Sequence, residues 1–100
     1  MAYRIEFHHA ARMEYREAIK WYSPRSQDAP NSLRREINRG REEILRSPTR
    51  WKETVDQCRE FILEVFPYSL IYEIIEDRIV ILALAHHKRR PGYWRGRVRD

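Results

Sequence analysis

Seven consecutive apolar residues, Ile79-Val80-Ile81-Leu82-Ala83-Leu84-Ala85, constrain this chain more than any other feature. The run is far shorter than the roughly 20 residues a membrane-spanning helix needs. It is rich in β-branched side chains and apolar on both faces, which suits the central strand of a sheet. Glu76-Asp77 just before it allows a tight turn, and Phe66-Pro67-Tyr68 supplies a second break upstream. Three strands are therefore expected, over residues 60–66, 69–75 and 78–86. Links this short demand antiparallel neighbours.

The first half of the chain carries a different period. Tyr3, Ile5 and Phe7 alternate with Arg4 and Glu6, the pattern of a short half-buried strand. From Ala10 the apolar positions Ala11, Tyr15, Ala18, Ile19 and Tyr22 fall at helical spacing. Ser23-Pro24 disfavours continuation, so the first helix is expected to end near Tyr22. Asp28 and Pro30 open a second helix, whose stripe is Leu33, Ile37, Ile44 and Leu45 and whose end is Ser47-Pro48. Gly40 lies on the same face at a cost of about 1 kcal/mol relative to alanine, which predicts close approach of the first helix. Trp51 falls outside any element and is expected to cover a core edge. The order is β-α-α-β-β-β, an α+β fold with a helical hairpin packed on a small antiparallel sheet.

One domain, residues 1–100, is all this length allows. Its charge is unevenly spread. Residues 86–100 hold Lys88, Arg89, Arg90, Arg95, Arg97 and Arg99 against Asp100, so the whole net charge of +5 sits in this basic tail. The first 85 residues balance at 14 basic and 14 acidic side chains. Arginine makes up 17 of the 20 basic residues. That is either a compositional habit or a surface that meets nucleic acid or an acidic protein. The N-terminal stretch has no apolar targeting segment and the lone Cys58 cannot form an internal disulfide, so a cytoplasmic protein is the expectation.

Several chemistries lack the residues they need. Adjacent histidines on a strand point to opposite faces, so neither His8-His9 nor His86-His87 chelates one ion alone, and no metal site is expected. Cys58 has no local histidine partner. Gly40, Gly92 and Gly96 form no phosphate loop, and no cofactor is implied. What remains is the junction of the last strand and the tail. His87, Lys88, Arg89, Arg90 and Tyr93 gather an imidazole, a phenol and three cations within seven residues. Cleavage of RNA through its 2′-hydroxyl uses such groups as base, acid and charge stabiliser. If the strand runs on, alternation puts His87 and Arg89 on one face and His86 and Lys88 on the other. The plainer alternative packs Tyr93 and Trp94 on the sheet and leaves the arginines in solvent.

These residues carry a resemblance. Phe66-Pro67-Tyr68-Ser69-Leu70-Ile71-Tyr72, then Ile79 to His86, then Lys88-Arg89-Arg90-Pro91-Gly92-Tyr93-Trp94, resemble the RelE/ParE superfamily of bacterial toxins. Glu17-Ala18-Ile19-x-Trp21-Tyr22 and the element order fit the same family. The resemblance implies the toxin of a type II toxin–antitoxin pair, held inactive by a small antitoxin that wraps it. Two activities share that fold: RelE-like members cut mRNA on the ribosome without a cofactor, and ParE-like members poison DNA gyrase.

The resemblance also carries residues over. RelE-like nucleases place an arginine where this chain has Ser69, and lysines where it has Glu60, Ile62 and Glu64. Arg89 and Tyr93 survive from that pattern, and related nucleases pair a glutamate base with a C-terminal His or Tyr, which Glu64 and His87 would supply. Catalytic candidates under the nuclease reading are thus His87, Arg89, Tyr93 and Glu64. Ala83-x-Ala85-His86-x-x-Arg89-Arg90 resembles ParE-like tails instead. The ParE-like reading is favoured, with Lys88, Arg90, Trp94, Arg95 and Arg97 as target-binding candidates. Expected partners are a cognate antitoxin with an acidic toxin-binding segment and DNA gyrase, or the ribosome and mRNA in the alternative. No membrane is expected to take part.

Overall fold

The hairpin of β4 (Tyr68–Ile75) and β5 (Arg78–His86) is the centre of the molecule, and every residue from Ile79 to Ala85 is buried. The structure, a computed structural model, describes residues 2–97, so Val98, Arg99 and Asp100 of the basic tail lie outside the described residues. The remaining elements are β1 (Arg4–Phe7), α1 (His9–Tyr22), α2 (Ala29–Arg46), β2 (Lys52–Glu53), a short 3-10 turn (Val55–Gln57) and β3 (Arg59–Ile62). The five strands lie in the order β1-β5-β4-β3-β2. This is the expected α+β arrangement, with one difference in strand direction. β3, β4 and β5 are antiparallel, but β1 pairs parallel to β5, with Ile5 opposite Ile79. Short links fix direction only between consecutive strands. β1 reaches β5 from the far end of the sequence and is free of that rule.

A register shift splits β5 between two cores. Ile71 pairs with Ala83 and Tyr72 with Ile81, so Leu82 is an extra residue on β5. Such a bulge re-aims the side chains that follow it. Ile79, Ile81 and Leu84 join the helical layer with Leu33, Ile37 and Ile44. Val80, Leu82, Ala83 and Ala85 form a second cluster on the opposite face, with Ile71, Cys58 and Trp94. The apolar run needs cover on both sides, and the tail supplies the second.

His8 caps α1, its Nδ1 accepting from the Ala10 N–H at 3.0 Å. The helix ends at Tyr22 as expected. Ser26 Oγ accepts from the N–H groups of Asp28 and Ala29, and Pro30 fills the first turn of α2. Gly40 is buried on the stripe, but its close neighbour is the sheet and not α1. A Cβ there would stand 2.8 Å from Leu70 Cδ1 and 3.1 Å from Phe61.

β3 ends at Ile62, short of the expected 60–66. Leu63 and Phe66 are buried as loop residues in the helix-side core, so their apolar character reflects packing and not pleat. Trp51 is half-buried and meets Phe61 edge-on at 4.6 Å, covering a core edge as expected. Tyr72 is fully buried, its hydroxyl donating to the Pro48 carbonyl. Among the described residues no helix is long and apolar enough to cross a membrane.

Candidate functional site

β5 ends at His86, opposite Tyr68, and the chain turns at once. Strand alternation therefore does not extend to His87, Lys88 and Arg89. The turn is held by two backbone bonds, His87 N–H to the Pro67 carbonyl and Arg89 N–H to the His86 carbonyl, and by the Lys88 N–H donating to the His86 side chain at Nδ1. The exposed His87 sets its Nε2 3.0 Å from the fully buried Ser69 Oγ. The His86 ring packs on Tyr68, and burial, then the charges of Lys88 and His87, hold its pKa below the usual histidine range. Gly92 then takes φ +79°, a conformation glycine adopts without strain, and sends Tyr93 and Trp94 back along β5.

Glu14 of α1 receives this returning chain. β1 stops at Phe7, opposite Ile81, so beyond that point β5 has a strand neighbour on one side only. The Leu84 N–H donates to Glu14 Oε1 at 3.0 Å, and Arg97 donates to the Leu82 carbonyl at 2.8 Å. Glu14 and Arg97 meet each other in a two-pronged pair at 3.0 and 3.1 Å, with both side chains less than a fifth exposed. The Tyr93 hydroxyl donates to Glu14 Oε2 at 2.7 Å. Burial, then the hydrogen bond to Glu14 and its charge, push the Tyr93 phenol well above the usual tyrosine range, and Arg97 and Arg89 only partly oppose this. Arg89 stacks on the outer side of the ring, its Cζ 3.9 Å from the centroid.

His87, Arg89 and Tyr93 line one cleft of about 380 Å³, shared with Lys52, Glu60 and Arg90. Glu64 is not among them. It is exposed, pairs with Arg39 of α2 at 3.0 Å and lines a different depression beside Val65. The target-binding candidates divide as well. Trp94 is 5% exposed and packed on the sheet, which removes its ring from the surface. Arg95 pairs with Asp56 at 3.2 Å, and Arg97 is locked to Glu14. Lys88, Arg89 and Arg90 are exposed, and none forms an ion pair among the described residues. Among the described residues of the tail, the exposed cations without an ion pair are these three consecutive side chains. No group of three or more His, Cys, Asp or Glu among the described residues is placed to hold a metal ion.

Sequence comparison matches residues 5–91 to the family described as ParE toxin of type II toxin-antitoxin system, parDE. The chain belongs to the ParE toxin family. Among solved structures it is similar to a chain of the chromosomal ParDE TA system from P. aeruginosa. The two share 15% identity over 85% of this chain and 96% of the other, with a TM-score of 0.71. At that identity the likeness speaks for the fold. Comparison with curated proteins gives no match.

The matched ParE span takes in Glu14 and Lys88–Arg90 and stops before Tyr93, Trp94, Arg95 and Arg97. Sequence reasoning passed over Glu14 and Lys52. Glu14 had a legible signal. It stands three residues after Ala11 and four before Ala18, both buried, so a carboxylate sits at the margin of the apolar stripe and needs a partner. Lys52 had none, because the two-residue β2 has no periodicity to read.

Proposed function

We propose that this ParE-family chain is the toxin of a type II toxin–antitoxin pair, that a cognate protein antitoxin neutralises it, and that it acts in the cytoplasm by binding DNA gyrase through the turn after β5. The observation that carries the binding reading is the Tyr93–Glu14 hydrogen bond. A nuclease needs a proton donor free to meet the leaving oxygen at a pKa near working pH. Here the phenol is tied to a carboxylate and its ionisation pushed up, while Glu64, the candidate base, lines another depression. Lys88, Arg89 and Arg90 then serve as a rigidly mounted cationic patch for an acidic protein surface. Such patches set encounter rate and specificity. The antitoxin segment that covers them is accordingly acidic.

Expression without antitoxin, with RNA ends and plasmid supercoiling followed in parallel, tests this reading. Loss of negative supercoiling with intact mRNA is expected. Tyr93→Phe keeps the ring under Arg89 and leaves the Glu14–Arg97 pair, so toxicity persists in that variant. Ribosomal A-site cuts that vanish in Tyr93→Phe would establish the RelE-like nuclease instead.

A further inference from the structure

The sheet ends in two unlike edges. On one side the edge strand β2 is only two residues long, Lys52 and Glu53, both exposed. A strand so short offers little for another chain to pair with. On the other side β1 presents Arg4–Phe7, preceded by Tyr3, with no proline or glycine to blunt it. β1 turns its even-numbered residues toward β5. The Arg4 N–H donates to the Asp77 carbonyl and the His8 N–H to the Ile81 carbonyl. Alternation along the strand then points the N–H and C=O groups of Tyr3, Ile5 and Phe7 outward. No loop or cap among the described residues takes up those groups. The side chains of the same three residues are half-buried against the helix-side core, while Arg4 and Glu6 are exposed on the other face.

The segment Tyr3-Arg4-Ile5-Glu6-Phe7 is complementary to itself when reversed. An antiparallel copy of β1 can use the outward backbone groups only in registers that set odd residues against odd. Such registers centre on Arg4, Ile5 or Glu6. Centring on Arg4 opposes arginine to arginine, and centring on Glu6 opposes carboxylate to carboxylate; like charges directly opposite destabilise a pair. Centring on Ile5 matches every position. We propose that two copies of this chain pair antiparallel along β1, about a two-fold axis at Ile5. Ile5 exchanges both backbone bonds with the partner's Ile5. Tyr3 meets the partner's Phe7 on the helix side, and Arg4 meets the partner's Glu6 on the other face. The charged pairs fall at the non-hydrogen-bonded positions, where Cα atoms stand about 4.5 Å apart and side chains are closest. Within one chain Arg4 reaches Asp77 at 3.8 Å and Glu6 reaches Arg78 at 3.3 Å. Exposed pairs of that kind are worth little and do not oppose the new contact. The contact uses the same patch on both copies, so it closes at two. The inference does not depend on gyrase being the target of the tail.

The test is sedimentation of the full chain from dilute solution to about 1 mM, beside amide hydrogen exchange followed by NMR. A monomer–dimer equilibrium is expected. The Ile5 and Phe7 amides exchange about tenfold or more slowly at high concentration, and the Glu6 amide, turned toward β5, changes less. Arg4→Glu or Glu6→Arg alone sets like charges opposite each other and weakens association by about tenfold or more. Mixing the two variants restores it, because each charge then meets its opposite across the axis. The double swap within one chain restores it as well. Both side chains are exposed, so the thermal midpoint of each variant is expected to stay near that of the natural chain. Arg4→Gln and Glu6→Gln, with smaller losses, serve if a reversal unfolds. A chain that is monomeric at every concentration, single reversals that leave association unchanged, or a mixture that fails to recover it overturns the proposal.

Discussion

The hydroxyl of Tyr93 donates to the carboxylate of Glu14 at 2.7 Å, joining the C-terminal turn to the first helix across 79 residues of sequence. Arg97 completes the junction, and both carboxylate oxygens are used. The same carboxylate accepts the Leu84 N–H, so one side chain fixes the tail and closes the open side of β5. The orientation of Lys88, Arg89 and Arg90 therefore depends on Glu14.

Replacing Glu14 by alanine leaves Arg97 beside an unsatisfied Leu84 N–H and frees Tyr93. Removing one partner of a largely buried pair costs about 3 kcal/mol. Chemical denaturation is expected to show a loss of that size. Limited proteolysis with trypsin is expected to cut first after Lys88, Arg89 or Arg95. An unchanged midpoint with a protected tail would contradict the account.

Gly40→Ala sets two magnitudes against each other. Helix propensity favours alanine by about 1 kcal/mol. The new Cβ meets Leu70 Cδ1 at 2.8 Å and Phe61 at 3.1 Å, and both neighbours are buried, so overpacking of about 1–3 kcal/mol opposes it. The expected outcome is net destabilisation of about 1 kcal/mol, measured by urea unfolding. A stabilised variant would mean that the sheet yields at Gly40.

Ser69 is fully buried, opposite Ala85 on β5. An arginine there, the residue the nuclease pattern would have, would put a cation at a fully buried position where Ser69 now meets His87. Burying a charge and overfilling a serine-sized site are both costly, so Ser69→Arg is expected to lower stability by about 3 kcal/mol or more. It is not expected to create RNA cleavage. Soluble, stable protein with new nuclease activity would sink this reading.

Tyr72 and Tyr93 resist ionisation most strongly of the four tyrosines whose pKa burial raises. Burial pushes Tyr72 up to about 12, with Arg59 opposing, and Tyr93 is raised still further by burial and Glu14. An unfolded tyrosine ionises near pH 10. Because the folded pKa lies above the unfolded one, the contribution of each group is complete below about pH 10 and is lost as pH rises through the folded pKa. Stability is expected to fall between about pH 10 and 12. In the folded chain, Tyr72 and Tyr93 should be missing from the absorbance titration near pH 10, beyond the upward shift that burial also gives Tyr15 and Tyr68. Tyr93→Phe removes one of the two.

Much of this was readable in the sequence because it is periodic. The Ile79–Ala85 run, the stripes of α1 and α2 and the break at Pro67 all express repeats that burial enforces. The Leu82 bulge, the parallel pairing of β1 and the two-residue β2 have no periodic trace. Charge arithmetic correctly put the +5 in the tail, but it could not see that Arg95 is paired with Asp56 and Arg97 with Glu14. Those pairs link residues distant in sequence. Among the described residues they leave Lys88–Arg90, rather than the whole tail, as the exposed cations without an ion pair.

The central claim is that those three cations bind gyrase and that the chain has no chemistry of its own. It is tested most directly by the supercoiling activity of purified DNA gyrase at saturating toxin. The account predicts that supercoiling stops, and that Lys88→Glu with Arg90→Glu, two exposed side chains, restores it without changing the toxin's thermal midpoint. Full supercoiling at saturating toxin, from a protein that still arrests growth, would contradict it.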